Sequence, residues 1–234
     1  MLPVREKVEH TALRIKFTKT GKLQYISHLD LHRTFCRLLV RCGIPVWYSE
    51  GFTPHPRLQF ATPLSVGSES LCEYMDVYVI GNADTVDIDV MRWKLRETDI
   101  DGLEIKEVYL PSTKFSTITH SDYTVRIKTD GASQALAAKC NEALHVSPLV
   151  ILKRTKSGEK DVDISTQIKS VDVSFDGEAI VIKACLAADS AGFLKPDYLI
   201  NVLKDRCGIL SGDVLKEEYS ILRTAVLVGD EEFH

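Results

Sequence analysis

Leu13, Ile15 and Phe17 alternate with Arg14 and Lys16, and within fifteen residues the apolar period changes from two to that of a helix, with Leu31, Phe35, Leu38, Leu39 and Cys42 on one stripe. This change of period constrains the fold more than any other feature of the chain. A strand with one apolar face must be covered, and the helix that follows carries an apolar stripe able to cover it. Ser27 is placed to cap that helix, Asp30 favours the free amides of its first turn, and Gly43 followed by Pro45 ends it.

Residues 46–48 and 57–61 then read as extended around a turn-rich loop, and residues 71–80 are rich in strand-forming residues. A second helix fits residues 85–97 through Val86, Val90 and Trp93, and a strand over 103–110 completes the order β-α-β-β-α-β. The polar stretch 111–121 lacks a period and separates this half from a second one. There the order recurs. Strand 123–127 precedes helix 132–145, and segments 149–153 and 161–164 flank a basic loop at Lys156-Ser157-Gly158. A hairpin is expected around Asp176-Gly177, then a helix from Pro196 to Gly208 and a final strand over 219–228. The fold class expected is α+β, as two tandem ferredoxin-like (βαββαβ) sandwiches, the second with an extra hairpin. The domains expected are 11–112 and 120–230.

The chain has 234 residues, enough for two such domains, and 44% of them are hydrophobic. No apolar run approaches the roughly 20 residues that cross a bilayer, and the first residues lack a secretory pattern, so a cytoplasmic protein without a membrane anchor is expected. The six cysteines form no Cys-x-x-Cys pair and fall mostly within apolar patterns, which suits reduced, buried thiols. The whole-chain charge of −4 is uneven. Residues 10–60 carry eight Lys and Arg against Asp30 and Glu50, a net of +6, which leaves −10 for the rest. Such a basic sector either steers an anion, even on an acidic protein, or is a solvated face with distant counter-charges.

Arg33, Arg37 and Arg41 recur every fourth residue, so guanidiniums follow one edge of the first helix at steps of about 6 Å. Each planar fork can hold a phosphate in two bonds, and Arg14, Lys16 or Arg57 alongside could extend the track along an RNA backbone. The alternative is that the three arginines pair with Glu50, Glu69 or Glu73 and clamp the fold. His55 stands between Pro54 and Pro56, after Gly51-Phe52, as a presented imidazole that serves either the loop or a ligand. His28 and His32 lie one turn apart, which falls short of a metal set, and no metal is expected. His28, His55 and Tyr25 are the candidates for acid–base cleavage of RNA. Lys153, Arg154, Lys156 and Lys160 make a second basic patch. No phosphate-binding loop, dinucleotide fingerprint, nucleophile elbow or iron–sulfur cysteine motif is present, and no cofactor is expected.

Together, Leu13-Arg14-Ile15-Lys16-Phe17, Ser27-His28-Leu29-Asp30-Leu31, the arginine helix, Gly51-Phe52 with Pro54-His55-Pro56, and Pro63-Leu64-Ser65-Val66-Gly67 with Ser70 and Glu73 resemble the bacterial radical-SAM-associated family of unknown function, whose members occur alone or fused to B12-binding radical-SAM proteins. Asp161-Val162-Asp163 and residues 192–196 also fit. The resemblance implies a companion to a radical-SAM enzyme that acts on RNA or a ribosomal component. The expectation is a non-catalytic binding module that positions RNA for that enzyme. Arg33, Arg37, Arg41 and Arg57 would hold phosphates, His28 and His55 would donate hydrogen bonds, and Phe52 would offer a stacking plane. The alternatives are a metal-independent endoribonuclease, resembling Cas6-type RNA-processing proteins in fold, and a protein–protein adaptor.

Overall fold

Ten residues of unbroken strand, β1 (His10–Lys19), bring the alternating face of Leu13, Ile15 and Phe17 under α1 (His28–Arg41). The computed structural model describes residues 8–155, 158–189, 192–213 and 215–234, and the chain divides into two compact units. One comprises Met1–Val66, Ser70–Phe115 and His234; the other comprises Gly67–Glu69 and Ser116–Phe233. Lys156 and Ser157, named above in the basic loop, lie outside the described residues, as does the side chain of Arg154.

In the first unit β2 (Leu58–Phe60), β3 (Ser68–Ile80), α2 (Ile88–Arg96) and β4 (Ile105–Tyr109) follow α1. The sheet runs β4-β1-β3-β2, every neighbour antiparallel. Leu31, Phe35, Leu38 and Leu39 of α1 are buried with Leu13, Ile15, Phe17, Met75, Val77 and Val79 in one core, where Phe17 and Phe35 meet edge to face at 4.6 Å. The helix starts as its capping residue dictates: Ser27 Oγ accepts from the Asp30 amide at 3.1 Å and donates to the Asp30 carboxylate at 2.7 Å. Gly43, at φ +62, takes the left-handed turn beyond its end.

α2 differs from the sequence expectation in start and face. Asn82 accepts from the Thr85 amide while Thr85 Oγ1 accepts from the Asn82 amide, so Thr85 belongs to a turn and Asp87 caps the helix by accepting from Val90. The buried stripe is Met91 and Leu95, with Ile88 partly buried against the core, whereas Val90 and Trp93 are exposed. Two apolar stripes overlap in this segment, and the one that packs beside β4 is the one that faces in.

The second unit strings together β5 (His120–Lys128), α3 (Gln134–Leu144), β6 (Val150–Thr155), β7 (Gly158–Asp163), β8 (Ile168–Phe175), β9 (Ile180–Ala187), α4 (Asp197–Cys207), β10 (Glu218–Val228) and β11 (Glu231–Glu232). Its sheet runs β10-β5-β9-β8, again antiparallel, with β11 paired to the end of β10 and β6–β7 forming a separate hairpin. Val125, Ile127, Ile180 and Ile182 are buried in the sheet, and Ala137, Cys140, Leu199 and Leu203 are buried on the two helices, which pack together. Gly177, at φ +98, turns the β8–β9 hairpin. The architecture is α+β, all six cysteines are free thiols, and no helix among the described residues is long and apolar enough to cross a membrane.

The opposite side of the first sheet holds a buried charge. Arg14 is fully buried; its Nε and Nη2 donate to the two Asp76 oxygens at 2.8 and 2.9 Å, its Nη1 and Nη2 donate to the Thr113 hydroxyl and carbonyl at 3.0 and 2.9 Å, and the ring of Phe115 lies 4.4 Å from it. Removing one member of such a pair strands the other charge in a low-dielectric site. Asp76→Ala is therefore expected to lower the unfolding free energy by about 3 kcal/mol or more, whereas replacing both residues (Arg14→Met with Asp76→Leu) restores most of it. Urea denaturation of the two variants measures this; an unchanged midpoint for Asp76→Ala would contradict it.

Candidate functional site

Because the core stripe of α1 is spent on Leu31, Phe35, Leu38 and Leu39, the two stripes beside it must face outward: His28, His32 and Cys36 on one, Arg33, Arg37 and Arg41 on the next. Arg33 Nη1 donates to Asp30 at 3.2 Å in an exposed pair one turn apart, which contributes little and leaves most of the guanidinium accessible. The Ser27 hydroxyl, aided by Arg33, holds the Asp30 carboxyl below its ordinary range. Arg37 and Arg41 make no side-chain hydrogen bond and no ion pair among the described residues, so pairing with Glu50, Glu69 or Glu73 does not occur for any of the three. The structural-clamp alternative for this stripe is thereby removed.

Arg37 and Arg41 form a ridge between two depressions. One, of about 210 Å³, is lined by Thr34, Leu38 and Ile100; the other, of about 390 Å³, is lined by Cys36, Val40, Tyr48 and Pro56. The second reaches the loop of residues 49–57. Tyr48 and Pro56 pair as an isolated antiparallel bridge, the Ser49 amide donates to the His55 carbonyl at 2.8 Å, and the His55 amide donates to Ser49 Oγ at 3.1 Å. The base of the loop is closed by these bonds, while Phe52 at its tip is fully exposed. Tyr25, in a short 3-10 turn (Gly21–Tyr25) before α1, is also exposed.

The histidines gather near Phe60 of β2. His28 meets its ring edge to face at 5.0 Å, His32 lies 6.2 Å away, and His32 Nδ1 is 3.5 Å from Cys36 Sγ. Burial, and then the positive charges that His28 and His55 can carry, push the His32 pKa below its ordinary value. Burial likewise pushes the Cys36 thiol up, which favours its neutral form. No group of three or more His, Cys, Asp or Glu side chains among the described residues could hold a metal ion.

Three of the cations that the sequence groups with the arginine stripe lie elsewhere. Arg14 is consumed by Asp76, and Lys16 reaches Glu107 at 3.7 Å and the Tyr74 ring at 5.6 Å. Arg57 stacks over Tyr78 at 4.6 Å and beside Trp47 at 5.6 Å, with His10 lying on Trp47 at 4.1 Å. Tyr74, Asp76 and Tyr78 alternate with the core residues Met75, Val77 and Val79, so Arg57 sits on the face of the sheet away from α1. It does not join Arg33, Arg37 and Arg41. Val40 and Tyr48 are the residues that sequence reasoning passed over. Val40 is 60% exposed although apolar, and its place off the stripe of Leu31, Phe35, Leu38 and Leu39 is the signal that marks it.

Residues 12–196 match the model of a family described as an uncharacterized protein conserved in bacteria (DUF2344). No curated protein matches the chain. Among solved structures, an unknown protein from Galdieria sulphuraria is 12% identical, with 92% of this chain and 99% of that one covered at a TM-score of 0.26. A candidate glycine cleavage system transcriptional repressor is 10% identical, with 91% and 96% covered and the same TM-score. Likeness at that level supports no conclusion about fold or role.

The lowered pKa of His32 has a sign that can be tested. Between its depressed folded value and the ordinary 6.5, the unfolded chain binds more protons at this site than the folded chain does. Stability therefore rises with pH across that interval and falls as pH drops below 6.5. Urea titrations at about pH 7.5 and about pH 5 should show a smaller acid loss for His32→Gln than for the unaltered chain. Equal losses would contradict the assignment.

Proposed function

Because the chain belongs to the family of uncharacterized proteins conserved in bacteria designated DUF2344, we propose its role from its own surface: a non-catalytic module that binds RNA and positions it for a separate radical-SAM enzyme. The observation that carries the RNA half is the pair Arg37 and Arg41, two guanidiniums on one helical edge with no carboxylate to neutralise them among the described residues. A charged group kept unpaired at the surface is free to exchange water and counterions for phosphate oxygens, and guanidinium forks do so in two bonds each. Arg33 extends the same edge, and Phe52 offers an exposed ring within the adjoining loop. The enzyme partner rests on the resemblance to the radical-SAM-associated family. His28 and His55 serve this reading as hydrogen-bond donors.

The two units support a finer reading of the fold as well. The sheet orders β4-β1-β3-β2 and β10-β5-β9-β8 each arise from β-α-β-β-α-β, with β6–β7 inserted in the second. These orders support reading the chain as a ferredoxin-like sandwich used twice, over residues 11–112 and 120–230.

Salt-dependent retention of total RNA by the purified protein, without fragmentation, is the expected result. Defined fragments would favour the endoribonuclease, and co-purification of an enzyme without RNA would favour the adaptor. Arg37→Ala with Arg41→Ala is expected to weaken RNA binding and to flatten the slope of log K against log salt by ~1.4, the counterion release of two phosphate contacts on a single strand. The same slope and affinity in the double variant would remove the ridge from the interface.

A further inference from the structure

We propose that the depression between α1 and the 49–57 loop seats one unpaired nucleobase, so that the module selects single-stranded RNA over a duplex; this rests on the RNA-binding reading above. Its lining is the reason. Val40, 60% exposed, and Tyr48, 42% exposed, meet Pro56 and the Cys36 thiol around a space of about 390 Å³, enough for a planar heterocycle. Apolar surface in a depression bordered by cations suits a ligand that carries an apolar face beside its charge. A phosphate alone does not cover that surface, because the guanidiniums that would hold it lie at the border of the depression. A base can, since its faces are apolar and polarisable while the phosphates on either side of it need cations.

Those cations are present. Arg37 and Arg41 border the same depression and are not paired internally among the described residues, which complements a strand whose charge flanks each base. The opposite wall is preformed. Tyr48 is bridged to Pro56, the loop closes through Ser49 and His55, and two prolines restrict its backbone, so little ordering is required on binding. In a duplex the bases are stacked and paired, and only phosphates would reach the ridge.

The test is fluorescence anisotropy of the full chain with a labelled single-stranded oligoribonucleotide, the same strand in a duplex, a length-matched abasic strand, and polyglutamate. The expected result is that the base-bearing strand binds on the order of tenfold more tightly than the abasic strand or the duplex. Tyr48→Ala should lower the affinity for the base-bearing strand to the abasic level. Val40→Asn, a change at an exposed helix position, provides a second variant if Tyr48→Ala alters the melting temperature. Equal affinity for base-bearing and abasic strands would overturn the base seat and leave the RNA reading standing. Failure of every oligonucleotide to bind would overturn both, and retention of polyglutamate alone would assign the ridge to an acidic protein partner.

Discussion

The packing of α1 on β1 and β3 controls what the first unit can present to solvent. Phe17 and Phe35 meet at 4.6 Å, and Leu31, Leu38 and Leu39 are buried beside them. At 3.6 residues per turn, burying that stripe determines the direction of every other side chain on the helix. Arg33, Arg37 and Arg41 have one outward edge available to them, His28 and His32 lie against Phe60, and Cys36 lies beside His32. Loss of this packing would scatter the ridge, because the buried stripe sets the angular position of the helix.

The basic sector divides across the sheet for an equally simple reason. Residues of one strand alternate between faces, and so Arg14 and Lys16 cannot share a side with the helix that covers Leu13, Ile15 and Phe17. Arg14 is satisfied by Asp76, its partner in strand register, together with Thr113. Arg57 follows the parity of Tyr78 and spends its charge over aromatic rings. The net charge of the sector overstates the charge available to a ligand, and the arginines that remain are those one helical turn apart on α1.

The histidines illustrate a different balance. His32 is partly buried beside His28 and within the field of His55, and these surroundings favour its neutral form. In the binding role proposed above, the guanidiniums of α1 would meet the anion, while the imidazole nearest the core would contribute shape and hydrogen bonding.

By itself the sequence determined most of the elements and their order, because periods of two and 3.6 are local properties and the Ser27 cap is local chemistry. It also showed the spacing of Arg33, Arg37 and Arg41, since their recurrence follows from helix geometry alone. It did not show which of two overlapping stripes on α2 would face inward, because Met91 and Leu95 prevail over Val90 and Trp93 only through the surface they meet. Nor could it separate Arg57 from Arg37, or set Val40 beside Tyr48. Those placements depend on strand parity and on contacts between segments that are not adjacent in the chain, so tertiary structure alone decided which charges are spent inside the fold and which remain for a ligand.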